Sequence, residues 1–144
     1  MLVVYRYLSR LIAVMVVLQA AFIAFSMFDI LHMADNGTPF TGESDNAGQV
    51  LHSTVGVMVI PTLAVLMLGV AFFAKIPGGI TFALVVLGLV AVEVVLGFVS
   101  ADLPSLGFLH GVAAFAIAAV AGLADRRAGQ VRRSRTPPEA VPVA

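Results

Sequence analysis

The chain has 144 residues, with eight Lys and Arg balancing eight Asp and Glu, and 60% of its residues are hydrophobic against 11% charged. A mean hydropathy of +1.06 excludes a soluble domain of this size, whose core cannot hide that much apolar surface. Cysteine is absent, which removes disulfides and thiolate metal ligands, and no nucleic-acid partner is expected.

Four apolar runs, at about residues 8–28, 50–74, 79–101 and 103–124, are each long enough to cross a hydrocarbon layer of ~30 Å, which takes about 20 residues of helix. The expected fold class is therefore all-α: a polytopic membrane protein, a bundle of four transmembrane helices in contact with the lipid bilayer. Arg6 and Arg10 lie ahead of or early in the first run, as in a secretory signal. That run is longer than a signal's, however, and no A-x-A-like cleavage site follows it, so it is read as a helix of the bundle.

Charge placement orients the spans. The basic residues are Arg6 and Arg10 at the amino terminus, Lys75 in the second connection, and Arg126, Arg127, Arg132, Arg133 and Arg135 in the tail. The first and third connections hold no Lys or Arg and instead carry Asp35, Glu43 and Asp45 in one and Asp102 in the other. By the positive-inside rule a cell-membrane protein with both termini cytoplasmic is expected. Residues 126–144, with Pro137, Pro138 and Pro142, read as a disordered basic tail, lying along the anionic inner leaflet or serving only to fix topology.

The second and fourth runs open alike, LHSTVGVMVI at residues 51–60 and LHGVAAFAIA at residues 109–118. The runs before them also correspond, VLQAAFIAFS at residues 17–26 and AVEVVLGFVS at residues 91–100, which sets Gln19 opposite Glu93. The spacing predicts two repeated helical hairpins, each with a polar residue in its first helix and a histidine near the start of its second, related by an axis along the membrane normal. With Asp45 and Asp102 as N-caps, His52 lies seven residues and His110 eight residues into its helix, ~10–12 Å below the cap at 1.5 Å per residue.

An ionisable side chain at that depth costs a few kcal/mol unless paired or ligated, so two matched histidines on separate helices are a candidate site. Heme fits such a pair best, because its iron takes a neutral imidazole on each face and its apolar edge suits a helix-lined gap. Small residues are available for the macrocycle at Gly56, Gly88, Gly97, Gly111, Ala113 and Ala114. Zinc would want two further ligands; the alternative to a ligand pair is that each histidine only hydrogen-bonds across the bundle or lies at the headgroup boundary. The heme propionates, with no outward Arg or Lys to pair with, are expected near Gln49, Ser53 and Asn46. Glu93 lies close to the histidine level, as a proton relay or a hydrogen-bond partner of Gln19, Ser100 or Thr54. His32 is expected in the interface or outer loop, away from the cofactor, and Pro61 is expected to bend the second span below His52.

The polar residue in the first helix of each pair, Gln19 or Glu93, and the L-H-x-x-x-[GA] start of the second, Leu51-His52 to Gly56 and Leu109-His110 to Ala114, resemble one half of heme A synthase. They resemble still more the small four-span membrane proteins related to such a half. The resemblance covers nearly all of residues 8–125 and implies His52 and His110 as axial ligands. The synthase has a glutamate three residues before the first histidine of its catalytic half. Gln49 stands there in this chain and cannot act as acid, base or nucleophile.

The expected function is thus an integral membrane b-type heme protein, one heme per chain on His52 and His110 (metal ligands) with Gly56, Ala114, Gln49 and Glu93 around it, in electron transfer or heme handling. The alternatives are a cofactor-free accessory subunit of a larger, respiratory membrane complex, a heme A synthase-like enzyme disfavoured by Gln49, and a proton-coupled transporter built on Glu93. Helix–helix contacts through Gly69, Gly88, Ala118 and Gly122 would suit a homodimer or a larger membrane complex.

Overall fold

A computed structural model of the chain describes residues 1–39, 41 and 46–135, and these residues form a bundle of four long helices with no strand among them. Helix α1 spans Leu2–Asp35, α2 spans Ala47–Ala74, α3 spans Gly79–Asp102, and α4 spans Gly107–Arg135 after a 3₁₀ turn at Pro104–Leu106. All four are long and apolar enough to cross a membrane, as expected of a multi-pass membrane protein. Each helix packs on its neighbours in chain order and α4 closes on α1, so α2 and α4 stand diagonally opposite.

The helix ends follow from local chemistry. After Asp35 the chain meets Asn36 and Gly37, the latter in the left-handed region at φ 71°. The Asn36 side chain donates to the His32 carbonyl at 2.9 Å, and α1 stops there. Asn46 opens α2 from an extended conformation. Its Oδ1 accepts from the Gln49 N–H at 3.1 Å, and its Nδ2 donates to Asp29 Oδ2 at 2.9 Å and to the Ser26 carbonyl at 3.3 Å. The cap expected at Asp45 falls outside the described residues, and the capping chemistry is supplied by Asn46. Asp102 is not a cap. It is the last residue of α3, because Pro104 starts a new turn from Leu103, whose φ of −125° and ψ of 80° break the helical path.

The spans run past the expected ends because tertiary contacts hold their polar extensions. Helix α4 continues ten residues beyond Asp125 to Arg135, so residues 126–135 are helical where a disordered tail was expected. Asp125 accepts from Arg6 Nε and Arg10 Nε of α1, both at 2.9 Å, and Ala128 and Gly129 are buried one turn farther on. Arg135 donates to the Lys75 carbonyl at 2.8 Å and Arg127 to the Pro77 carbonyl at 3.5 Å, which fastens the extension to the α2–α3 connection. Residues 136–144, including Pro137, Pro138 and Pro142, fall outside the described residues.

One seam of side chains runs down the bundle axis with alternating steps of three and four residues, the spacing that keeps one stripe facing its partners in nearly parallel helices. It reads Tyr5, Ser9, Ile12, Val16 and Gln19 on α1, and Ile60, Ala64, Met67, Ala71 and Ala74 on α2, all buried. On α3 it reads Ala83, Val86 and Val90, and on α4 Ile117, Ala121, Ala124 and Ala128. Among the described residues, the buried apolar residues of the core run from the middle of the bundle to the end that carries Leu2 and Arg135. There the Tyr5 hydroxyl, wholly buried, donates to the Gly79 carbonyl across the diagonal at 2.9 Å.

At the opposite end α1 and α2 approach closely over Gly48. A Cβ added there would stand 2.5 Å from the Phe22 carbonyl oxygen and 2.7 Å from the Ser26 nitrogen, both main-chain atoms that cannot turn aside. Gly48→Ala is therefore expected to force α2 off α1, with a loss on the order of 1–3 kcal/mol that a lowered Tm in detergent would register. A Tm equal to that of the unmodified chain would contradict the close crossing.

Candidate functional site

The seam continues into the second half of the bundle, but its residues become small or polar. On α3 the next seam positions are Glu93, Gly97 and Ser100, and on α4, read backward from Ile117, they are Ala114, His110 and Gly107. Replacing large apolar groups by glycine and alanine removes the material that fills the other half. The result is a cavity of ≈ 850 Å³ lined by all four helices. That volume lies in the upper part of the range of roughly 300–1,000 Å³ typical of small-molecule and cofactor sites.

Helix α2 reaches this cavity through an irregular turn. Residues Val55–Val59 are π-helical, and the Ile60 N–H bonds the Val55 carbonyl five residues back. His52 and Ile60 are eight residues apart, one more than a seven-residue repeat allows, and the wide turn absorbs the extra residue so that both face the axis. Pro61 follows directly and has no N–H to hold the preceding turn in α-geometry. The Thr62 hydroxyl donates to the Met58 carbonyl at 2.6 Å. What stands at the place of the bend expected from Pro61 is this widened turn, between the histidine and the proline.

The two histidines meet across the cavity. Their ring centroids are 6.0 Å apart with an interplanar angle of 72°. Each ring is held by the helix that precedes its own. Nδ1 of His52 lies 3.3 Å from the Gln19 carbonyl, and Nδ1 of His110 lies 3.2 Å from the Glu93 carbonyl and 3.2 Å from Glu93 Oε1. Carbonyl and carboxylate oxygens only accept, so Nδ1 carries the hydrogen in both rings. With Nδ1 so engaged, Nε2 is the nitrogen through which either ring could ligate a metal, and a main-chain oxygen holds the ring as an outer-shell partner does in metal sites.

Three further polar atoms are buried without a partner among the described residues: Gln19 Oε1 and Nε2, and Glu93 Oε2. Such atoms cost roughly 1–3 kcal/mol each unless satisfied by a water or a ligand. Both residues line the cavity. Gly97 gives His110 its room, since a Cβ there would lie 3.3 Å from the His110 Cε1, and Gly56 faces Gln19, whose Oε1 a Cβ would approach to 3.5 Å.

All of His52, His110, Gly56, Ala114, Gln49 and Glu93 line this one cavity, with Ser53, Gly97 and Gly111. Gly88 and Ala113 do not, and Gly88 lies on the outward surface of α3. Asn46 is buried and engaged with Asp29, Ser26 and Gln49, so it is no part of the lining. His32 is exposed in the last turn of α1, with Nε2 3.1 Å from Asn36 Nδ2. Glu93 bonds His110 through its carboxyl, where Gln19, Ser100 or Thr54 had been expected, and the Ser100 hydroxyl turns back to the Leu96 carbonyl at 2.6 Å.

The main-chain partners of the histidines have no signature of their own in the sequence, because every residue carries a carbonyl. Their one trace is the polar residue at each position. No group of three or more His, Asp or Glu suited to hold a metal ion occurs among the described residues, so any metal here would take two protein ligands and need the rest from elsewhere. The ¹⁵N chemical shifts of histidine-labelled protein without added ligand are expected to place both rings in the Nδ1–H tautomer. An Nε2–H tautomer at either position would contradict the arrangement. No family model matches the chain, and neither a curated protein nor a solved structure matches it.

Proposed function

We propose that the protein is an integral membrane heme protein that binds one b-type heme between His52 and His110. The observation that carries this reading is the opposed pair of imidazoles on diagonal helices, each oriented through Nδ1 and each facing the same cavity. With metal–imidazole bonds of ~2 Å, rings whose centroids are 6.0 Å apart are near enough for both to hold one metal. The pair offers two ligands and the porphyrin would supply the other four, so the donor set fits a heme where it does not fit zinc.

The chain's own residues divide the work. His52 and His110 would hold the iron, and the Gln19 and Glu93 carbonyls would keep both rings from turning. Gly56, Gly97, Gly111 and Ala114 leave the cavity wall bare for a flat group, and Gln49 and Ser53, in the same lining, would offer polar atoms to its propionates. Bound there, heme supplies a one-electron couple, and with both axial positions taken it has no open site for oxygen chemistry. The role is accordingly electron transfer or the handling of heme for a partner. Glu93, which bonds one axial ring only, makes the two sides of the site unequal.

The reading includes two repeated hairpins. His52 bonds the carbonyl of Gln19 and His110 that of Glu93, and these two residues correspond in the aligned stretches at residues 17–26 and 91–100. It also places both termini in the cytoplasm and the histidine half of the bundle toward the outside, from the basic residues at the other end. The similarity of these motifs to one half of heme A synthase supports the ligand pair. Gln49, in place of the synthase's glutamate, argues against the synthase reaction.

Absorbance of the detergent-purified protein tests the proposal. A low-spin b-type spectrum is expected in both redox states, with the heme lost or converted to a high-spin form in His52→Ala and in His110→Ala. A folded protein that stays colourless after heme is added would sink the reading in favour of a cofactor-free subunit.

A further inference from the structure

Gln19 and Glu93 hold corresponding positions in two like stretches of sequence, yet their side chains do different things. Glu93 turns its carboxyl to the ring it serves, so that Nδ1 of His110 lies 3.2 Å from the Glu93 carbonyl and 3.2 Å from Oε1. The same ring is backed by Gly97, where a Cβ would stand 3.3 Å from Cε1. His52 is held by less. Its Nδ1 lies 3.3 Å from the Gln19 carbonyl and has no side-chain acceptor among the described residues. Turning His52 away breaks one contact, whereas turning His110 breaks two.

The Gln19 amide is left over. The residue is 8% exposed and lines the cavity, and neither Oε1 nor Nε2 has a partner among the described residues. A Cβ at Gly56 would stand 3.5 Å from Oε1, which puts the amide beside α2, about one turn along from His52. A carboxyl on the far nitrogen strengthens an imidazole as a metal ligand, and an amide N–H is a donor for a neutral acceptor. One side of the cavity is built to keep its histidine. The other sets a spare donor next to a histidine that is held by a single bond.

We infer that His52 is an exchangeable axial ligand, and that the place it vacates takes a small uncharged diatomic ligand received by Gln19 Nε2 while His110 stays bound. The inference rests on the heme proposal and names what that site admits. In the exchange His52 Nε2 gives up its coordinate bond and the ligand's donor atom forms one in its place. Each supplies one electron pair, so no oxidant or reductant is consumed, and the ring keeps its Nδ1 hydrogen. Val16, Ala20, Ile23 and Val57 make the α1 and α2 walls largely apolar, which favours an uncharged ligand over an anion. Hydrogen-bond donors beside such a position govern which small ligands a heme pocket holds.

Carbon monoxide added to the reduced, heme-loaded full chain in detergent tests it, read by absorbance and by the infrared C–O stretch. The unmodified chain is expected to bind the gas and to show the stretch of His52→Ala, in which His110 is the remaining ligand, and not that of His110→Ala. Gln19→Leu keeps the carbonyl that holds His52. It is expected to raise the stretch and to release carbon monoxide on the order of fivefold faster. Gln19→Met, of similar length, replaces it should the first variant not fold. A reduced chain that stays low-spin and unchanged under carbon monoxide overturns the exchange and leaves the heme proposal standing. A stretch matching that of His110→Ala, or one shared by both histidine variants, also overturns it, as do an unchanged stretch and release rate in the Gln19 variants. A folded chain that takes up no heme overturns the heme proposal, and this inference with it.

Discussion

In a hydrocarbon layer a polar side chain has no water to turn to, so every imidazole placed there must find its partner inside the protein. In this bundle each half-buried cavity histidine finds it in a main-chain carbonyl of the helix before, at Gln19 for His52 and at Glu93 for His110. The rest of the site depends on that one interaction. It fixes which nitrogen carries the hydrogen and holds each ring, and both histidines line the cavity. Because a carbonyl is used, a substitution at Gln19 or Glu93 would leave this bond in place and alter only what the side chain adds.

The same axial seam serves two ends. In the half near the termini its positions carry Ile12, Met67, Val86 and Ile117 and the bundle is filled. In the other half they carry Gly56, Glu93, Gly97, His110 and Ala114 and the bundle is hollow. The filled half, with the Tyr5 bond to Gly79 and the Asp125 pairing to Arg6 and Arg10, holds the helices in register. The hollow half can then leave its volume open without collapsing. The small residues of the seam therefore divide between packing, as with Ala64 and Ala121, and making room, as with Gly97 beside His110.

Much of this was legible in the sequence, and the reason differs from feature to feature. The four spans follow from hydropathy alone, since nothing else accommodates such runs. That His52, Gly56, His110 and Ala114 share one cavity was legible in the two stretches at residues 51–60 and 109–118 that resemble each other, while Glu93 was singled out by a second such pair and Gln49 by its place three residues before His52. The helix ends were less legible. Asn46 and Asp45 are both good capping residues side by side, and Asp102 was separated from the next helix by a turn that only Pro104 announced. The length of α4 depended on Asp125 reaching Arg6 and Arg10, contacts between positions 115 and 119 residues apart that no local pattern encodes. The π-turn at Val55–Val59 was half legible: Pro61 signalled an irregularity, but the spacing of eight between His52 and Ile60 becomes meaningful only once both are known to face the axis.

The central claim is that one iron sits between His52 and His110, and its most direct test is pulsed electron paramagnetic resonance on the ferric protein carrying ¹⁵N-histidine. The account predicts a low-spin signal coupled to two histidine nitrogens, one of which disappears in each single histidine variant. A high-spin signal in the unmodified protein, coupling to one histidine nitrogen only, or coupling that persists at full strength in both variants would contradict it.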